Sequence, residues 1–295
     1  MKDITGIYSP PRSHWVGNGF PVRSLFTYNR MGPEHVSPFL LLDYAGPRNF
    51  SPAKNPRGVG SLPHRGFETV TIVYEGEVEH RDSHGGGGII REGDVQWMTA
   101  ASGIVHQEFH SEAFTERGGP FEVVQLWVNL RAKDKQAPAG YQSILAKDIP
   151  TRMLENDSGS MRVIAGAYGD THGPAQTFSP INVWDLRLHR DGVTHLTVPQ
   201  GHTTLVVVLS GTVQINDREI MREAEFASLA RDGTQIKLEA NNDAKLLVLT
   251  GEPFDEPVVG YGPFVMNSVE EIHASMHAYE QGRFGVIAES DAVAS

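Results

Sequence analysis

Histidine and glutamate side chains in the first half of the chain have a spacing that could bind a metal ion. His106 and Glu108 lie two residues apart, and residues two apart in an extended strand point to the same face. An imidazole and a carboxylate placed this way can reach one cation, and His64 precedes a strand that would pair nearby. Two histidines and one carboxylate form the open ligand set of many non-heme Fe(II) sites, and the same donors suit Zn²⁺. The residues therefore indicate a metal site at His64, His106 and Glu108.

The alternative interpretation is that these are ordinary strand residues, since a His-x-Glu pair is common by itself. A faint internal repeat favours the metal site. TVTIVYEGEVEH in the first half can be laid on TTLVVVLSGTVQI in the second, and the order of strands and glycine turns then agrees. The three donors of the first copy fall on apolar residues in the second, namely Pro199, Ile236 and Leu238. One copy would bind metal while the other would be structural or would bind a partner.

The elements that must position these residues are mostly strands. Runs rich in β-branched and aromatic residues, such as Thr69–Tyr74 and Phe121–Leu130, are separated by glycine-containing turns, which is typical of a sandwich or barrel. We predict an all-β chain of two barrels, an N-terminal one at 1–131 and a C-terminal one at 141–295, joined by the polar stretch Ala132–Gly140. One short helix is predicted near the end, where Ser268 and Glu271 fit a capping box and Gly282 fits a C-terminal stop.

Composition excludes several classes of protein. The 295 residues carry a net charge of −11 and no cysteine. The acidic balance argues against direct binding of nucleic acid, and the lack of cysteine excludes disulfides and thiolate metal sites. No apolar run has the length of a signal peptide or a membrane span. We therefore expect a cytoplasmic protein, or a nuclear one in a eukaryote, with no membrane contact.

Longer motifs resemble the signature of the pirin family of bicupins, and together they cover most of the chain. They are LPHRGFETVT from Leu62, HRDS from His80, GDVQWMTA from Gly93, GIVHQE from Gly103, QLWVNL from Gln125, GPFVMN from Gly262 and GRFG from Gly282. The resemblance implies two tandem cupin barrels, which are double-stranded β-helices of the jelly-roll type. It also implies one divalent metal in the first barrel, with Fe(II) preferred and Zn, Mn, Ni or Cu as alternatives.

The ligands that the resemblance implies are a His-x-His step followed by a His-x-Glu step. The last three of these positions are His64, His106 and Glu108, whereas the first falls on Leu62, which cannot donate to a metal. Three outcomes are open: weak or absent metal binding, a working three-ligand site, or rescue by a neighbour, for which His110 is the first choice. The resemblance gives Glu68, His80 and Asp82 supporting roles in the barrel or at the pocket rim.

The resemblance also implies a function. Pirin-like proteins are linked to quercetin 2,3-dioxygenase activity, in which a flavonol would chelate the metal and Glu108 would take the proton of its hydroxyl group. A non-enzymatic co-regulator that acts through protein partners is the alternative. A metal-free bicupin, with a site that decayed at Leu62, is the third hypothesis.

Overall fold

The computed structural model describes residues 1–289, so the last six residues of the predicted second domain, 290–295, lie outside it. Strands account for most of the fold. They are β1 (Ile4–Tyr8), β2 (His14–Val16), β3 (Phe20–Thr27), β4 (Phe39–Phe50), β5 (Gly58–His64), β6 (Phe67–Glu75), β7 (Val78–Asp82), β8 (Gly87–Ile90), β9 (Val95–Thr99), β10 (Ile104–His110), β11 (Gly119–Asn129), β12 (Gly140–Ile144), β13 (Thr151–Met153), β14 (Gly159–Ala165), β15 (Ala167–Tyr168), β16 (Thr171–His172), β17 (Ile181–Leu188), β18 (Val193–Thr197), β19 (Thr203–Ser210), β20 (Val213–Ile215), β21 (Glu219–Met221), β22 (Glu225–Leu229), β23 (Gln235–Ala240), β24 (Ala244–Gly251), β25 (Val259–Tyr261) and β26 (Phe264–Met266).

Helices are short by comparison. The α-helices of the described residues are α1 (Tyr28–Met31), α2 (Pro33–Val36), α3 (Glu112–Arg117) and α4 (Val269–Glu280), and short 3₁₀ turns lie at Ala132–Asp134, Ala146–Asp148 and Glu155–Asp157. The predicted terminal helix is confirmed as α4: the Ser268 hydroxyl accepts the backbone N–H of Glu271 and lies 3.1 Å from its carboxylate. The first contact is the N-cap hydrogen bond of a capping box, and in the second the Glu271 carboxylate accepts from the Ser268 hydroxyl. The predicted all-β class is confirmed as well.

The chain folds into two compact units. One, here called the donor barrel, contains Ser13–Val22, Ala45–Ser143 and the chain from Asp255. The other, here called the apolar barrel, contains Met1–Arg12, Arg23–Tyr44 and Ile144–Phe254. Both differ from the linear boundaries predicted at 1–131 and 141–295.

Pairing and packing explain the difference. The N-terminal strand β1 pairs with β22, with Ile4 opposite Leu229 and Tyr8 opposite Phe226, and therefore belongs to the apolar barrel. At the other end, Ile272 and Ala278 of α4 pack with Val105 in one buried cluster of the donor barrel. Each terminal segment thus lies in the barrel formed by the other half of the chain, because that is where its apolar side chains are buried.

The predicted connector is also more ordered than its polar composition indicates. Lys135 is only 1% exposed. Its ammonium donates to the carbonyl oxygens of Gly66 and Val265, at 2.7 and 2.9 Å, and to Oδ1 of Asn129, at 2.7 Å. Three acceptors match the three donors of a lysine, so this stretch is fastened to the donor barrel.

The donor barrel consists of two antiparallel sheets. One has the order β5-β10-β7-β8 and the other β12-β9-β6-β11-β4-β3-β2, in which β3, β4 and β12 have residues in both units. One end of the barrel is closed by a buried apolar cluster that includes Phe50, Val73, Phe114 and Phe121. The polar side chains of the interior lie beyond this cluster.

The apolar barrel repeats the two-sheet plan, with orders β1-β22-β19-β24-β17-β14-β13 and β18-β23-β20-β21. Ile236 and Leu238 on β23 are fully buried in one hydrocarbon cluster with Trp184 and Leu196. Burial of each aliphatic side chain contributes about 1.5–3 kcal/mol relative to exposure. At the positions aligned with His106 and Glu108, the second barrel is therefore filled with hydrocarbon that stabilises the fold.

Candidate metal centre

Strand β10 supplies the centre of the site. It lies between β5 and β7 in its sheet, and its alternation turns His106 and Glu108 to the barrel interior, where both are buried. The β7 register places His80 directly opposite Glu108 and Asp82 opposite His106. On the other side, β5 places Leu62 opposite His106.

His80, His106 and Glu108 form a compact group of ligand atoms. One atom from each lies within 4.8 Å of the others, and all three residues are buried. Nδ1 of each histidine stands 3.9 Å from Oε1 of Glu108, which is too long for a hydrogen bond. Neither ring nitrogen of His106 has a hydrogen-bond partner, nor does Nδ1 of His80. Buried polar atoms are normally satisfied, so these orphaned nitrogens fit a cation as their missing partner.

His64 lies on the β5 side of His106. Its ring centroid is 4.9 Å from that of His106, and its Nδ1 is 3.4 Å from the carbonyl oxygen of Pro263. The rings of Phe67 and Trp127 meet it edge-on, at 5.2 and 5.3 Å. The structure thus brings all three sequence-predicted donors to one region of the barrel, but the compact group of the described residues contains His80 and not His64.

Burial keeps the two predicted imidazoles neutral. It lowers the pKa of His64 to about 3 and that of His106 to about 4, and in His64 the proximity of His106 adds to the effect. A neutral imidazole has a free lone pair on one nitrogen. Both side chains are therefore in the protonation state that a metal ligand requires at neutral pH.

Glu108 is an anion, and each of its carboxylate oxygens accepts a hydrogen bond from a glutamine amide. Burial by itself would raise its pKa, but His80, His106 and the Gln96 amide outweigh this and lower the pKa to about 2. Gln96 donates to Oε1 at 2.7 Å, and Gln125 donates to Oε2 at 3.1 Å. Hydrogen bonds to both oxygens fix the plane of the carboxylate.

Two aromatic side chains extend this network outward. The Tyr141 hydroxyl donates to Oε1 of Gln96 at 3.1 Å, and the Trp127 indole N–H donates to Oε1 of Gln125 at 3.1 Å. Each amide oxygen is thus occupied, which turns the amide N–H toward Glu108. Sequence reasoning missed both glutamines and Tyr141, because the glutamines meet only through the register in which each pairs with Thr71.

His80 and Asp82 lie inside the site rather than at its rim. Nε2 of His80 is 3.1 Å from Oδ2 of Asp82, and the Tyr141 ring stacks on the imidazole with centroids 4.9 Å apart and planes 16° apart. The other oxygen of Asp82 accepts the backbone N–H groups of His84 and Gly86, at 2.8 and 2.9 Å. His80 is fully buried.

Two other candidates are excluded from the centre by their contacts. His110 shares the inward face of β10, but its Nε2 is 2.8 Å from the carbonyl oxygen of Gly19, and the rings of Phe50 and Phe121 pack on it at 4.7 and 4.4 Å. It belongs to the apolar end of the barrel, so of the three outcomes left open, rescue by His110 finds no support in its contacts. Glu68 accepts a 2.7 Å hydrogen bond from Thr99, and burial raises its pKa to about 7, in keeping with a structural role.

Two β-barrels, one with a buried group of histidines and a carboxylate and one filled with hydrocarbon, define a bicupin. Family models for Pirin and for the Pirin C-terminal cupin domain match residues 19–128 and 183–285. The chain therefore belongs to the pirin family.

Relatives and solved structures agree with this assignment. The chain is 60% identical over 284 residues to a Pseudomonas aeruginosa protein named "Putative quercetin 2,3-dioxygenase PA2418". The alignment covers 96% of this chain and 99% of that protein. A crystal structure of a quercetin 2,3-dioxygenase from Acinetobacter baumannii matches with 55% identity and a TM-score of 0.95, covering 98% of this chain and all of the other. A bacterial pirin from Escherichia coli, solved in complex with nickel(II), shares the fold at 18% identity and a TM-score of 0.64, with 84% of this chain and all of that chain covered.

No α-helix within residues 1–289 is suited to crossing a membrane. The longest α-helix there, α4, has 12 residues, and none of the helices combines the length and the apolar character that a bilayer requires.

Proposed function

We propose that this pirin is a metal-dependent oxygenase of the quercetin 2,3-dioxygenase type, with one divalent metal in the donor barrel. The observation that carries the proposal is the set of buried ring nitrogens without partners beside an ionised carboxylate. His106 and Glu108 would be ligands in every arrangement that we consider. The third donor would be His64, as the family pattern implies, or His80, which lies in the compact group.

Iron(II) is the proposed metal because two imidazoles and a carboxylate are its usual set in non-heme oxygenases. Zinc, manganese, nickel and copper accept the same donors. Such a metal would supply Lewis acidity, which lowers the pKa of a bound hydroxyl group, and would bring O₂ and substrate together.

The residues of this chain would perform the remaining tasks. Glu108 is ionised at neutral pH and would accept the proton of a substrate hydroxyl group whose pKa the bound metal lowers, while Gln96 and Gln125 keep its oxygens in place. Phe67 and Trp127 stack on each other with centroids 4.3 Å apart beside His64. Trp127 is only partly buried, so it would offer an aromatic wall to a planar molecule that binds beside His64. A flavonol is the substrate class that combines such a ring with adjacent hydroxyl and carbonyl groups.

The test is turnover of a flavonol by protein loaded anaerobically with iron(II). In the proposed reaction both atoms of O₂ enter the cleaved product and one ring carbon leaves as carbon monoxide. Flavonol consumption, O₂ uptake and carbon monoxide release should therefore be equal, and Glu108→Gln should abolish all three. The absence of turnover with iron, nickel, copper, manganese and zinc would refute the proposal and favour a role through protein partners. The cytoplasmic compartment expected from the sequence remains a prediction.

A further inference from the structure

We infer that His80, rather than His64, is the third protein ligand of the metal, an inference that rests on the metal site proposed above. With leucine at position 62, β5 carries a single imidazole, that of His64. The metal would then be bound by β10 and β7, with Asp82 orienting the new ligand.

The first argument is the position of the donor atoms. Nδ1 of His80 and Nδ1 of His106 both approach Oε1 of Glu108 to 3.9 Å. Metal–ligand bonds of about 2.0–2.2 Å allow two atoms at this distance to share one cation. The register accounts for the approach, because β7 pairs His80 with Glu108.

The second argument is the hydrogen bond behind His80. The Asp82 carboxylate can only accept, so Nε2–H of His80 donates to it. The pKa of His80 is raised because Asp82 and Glu108 outweigh burial, so a cation that binds at Nδ1 would displace the second proton of the ring. This Nδ1 is buried, has no partner and faces Glu108. A carboxylate that fixes the tautomer of a histidine is the usual partner behind a metal-binding imidazole.

The third argument is the rigidity of the ring. His80 is 0% exposed, is stacked on Tyr141 and is bonded to Asp82, which is itself fixed by two backbone N–H groups. A ligand that is already ordered loses little entropy on binding. His64 has a single long hydrogen-bond contact, 3.4 Å from Nδ1 to the Pro263 carbonyl, and its other contacts are with the rings of His106, Phe67 and Trp127.

The experiment compares His80→Ala with its matched control His64→Ala, each loaded with cobalt(II) and with nickel(II). Metal content is measured by elemental analysis, apparent affinity by titration, and ligand number by the cobalt absorption spectrum. We expect His80→Ala to lose affinity by at least about 100-fold and His64→Ala to stay within about threefold of wild type. Added imidazole should restore metal uptake in His80→Ala, since the ring leaves a cavity of its own shape.

A second variant keeps the test decisive if His80→Ala does not fold. Asp82→Asn retains the imidazole, but its one oxygen stays on the backbone N–H groups of His84 and Gly86, so an amide NH2 replaces the acceptor that faces Nε2 of His80. The variant should weaken metal binding by about 10–100-fold. Wild-type uptake that is lost in His64→Ala and retained in His80→Ala would overturn the inference and leave the metal centre intact. A wild-type protein that binds no metal would overturn both.

Discussion

The amide of Gln96 is predicted to control metal affinity through Glu108. Gln96→Leu keeps the size of the side chain but removes the 2.7 Å hydrogen bond to Oε1. A hydrogen bond to a buried charge contributes about 1.5–3 kcal/mol, and loss of a group that orients a ligand typically costs about 10–100-fold in metal affinity. We therefore expect the variant to bind nickel(II) about 10–100-fold more weakly than wild type.

Tyr141→Phe is the matched control for this variant. It removes only the 3.1 Å bond from the hydroxyl group to Oε1 of Gln96 and leaves both amide bonds to Glu108 in place. The effect on affinity should be much smaller than that of Gln96→Leu. Isothermal titration of the metal-free proteins measures both, and circular dichroism checks the fold. A Gln96→Leu protein that is folded and within twofold of wild type would refute the role given to the amide.

Three further predictions concern the missing ligand, acid stability and the buried lysine. Leu62→His should raise iron affinity by about tenfold or more, a gain of at least about 1.4 kcal/mol, because position 62 lies opposite His106; unchanged iron content on elemental analysis would contradict this. The metal-free protein should lose stability below about pH 6.5, because the pKa values of His64 and His106 are lowered in the fold and the unfolded chain therefore binds their protons first. It should lose more stability below about pH 4.5, where Glu108 takes up a proton in the unfolded chain but stays ionised in the fold down to about pH 2. His80, whose pKa is raised because Asp82 and Glu108 outweigh burial, offsets part of this loss; a urea midpoint that does not change between pH 7 and pH 4 would contradict the prediction. Lys135→Met should destabilise the protein by about 2–5 kcal/mol in urea unfolding, because three buried acceptors lose their donor, whereas the exposed control Lys133→Met should have little effect.

The local features of the fold followed directly from the sequence. Alternation along β10 was sufficient to place His106 and Glu108 on one face, and the spacing of Ser268 and Glu271 was sufficient to place the start of α4. The apolar residues aligned with the donors also predicted the filling of the second barrel, where Ile236 and Leu238 are buried. Each of these inferences depends on residues within a few positions of each other, or on the repeat.

Features that depend on strand register did not follow from the sequence. His80 reaches Glu108 only because β7 pairs with β10 in one particular register, and a shift of one residue would turn it out of the barrel. His110 has the correct alternation but lies at the apolar end, where Phe50 and Phe121 surround it. Depth along a barrel is a tertiary property, and alternation carries no information about it.

The exchange of terminal segments was missed for a similar reason. The sequence of β1 fits an edge strand of any sheet, and only its pairing with β22 assigns it to the apolar barrel. The glutamines that hold Glu108 carry no charge and match no metal motif, so they become visible only when the interior faces of β9 and β11 are brought together.

The most direct measurement of the metal centre is anomalous diffraction from crystals of the nickel-loaded protein. We predict one anomalous peak in the donor barrel, about 2.0–2.2 Å from a ring nitrogen of His106 and from a carboxylate oxygen of Glu108. An ordered structure of the loaded protein with no peak between these two side chains, or with its only peak elsewhere, would contradict the account.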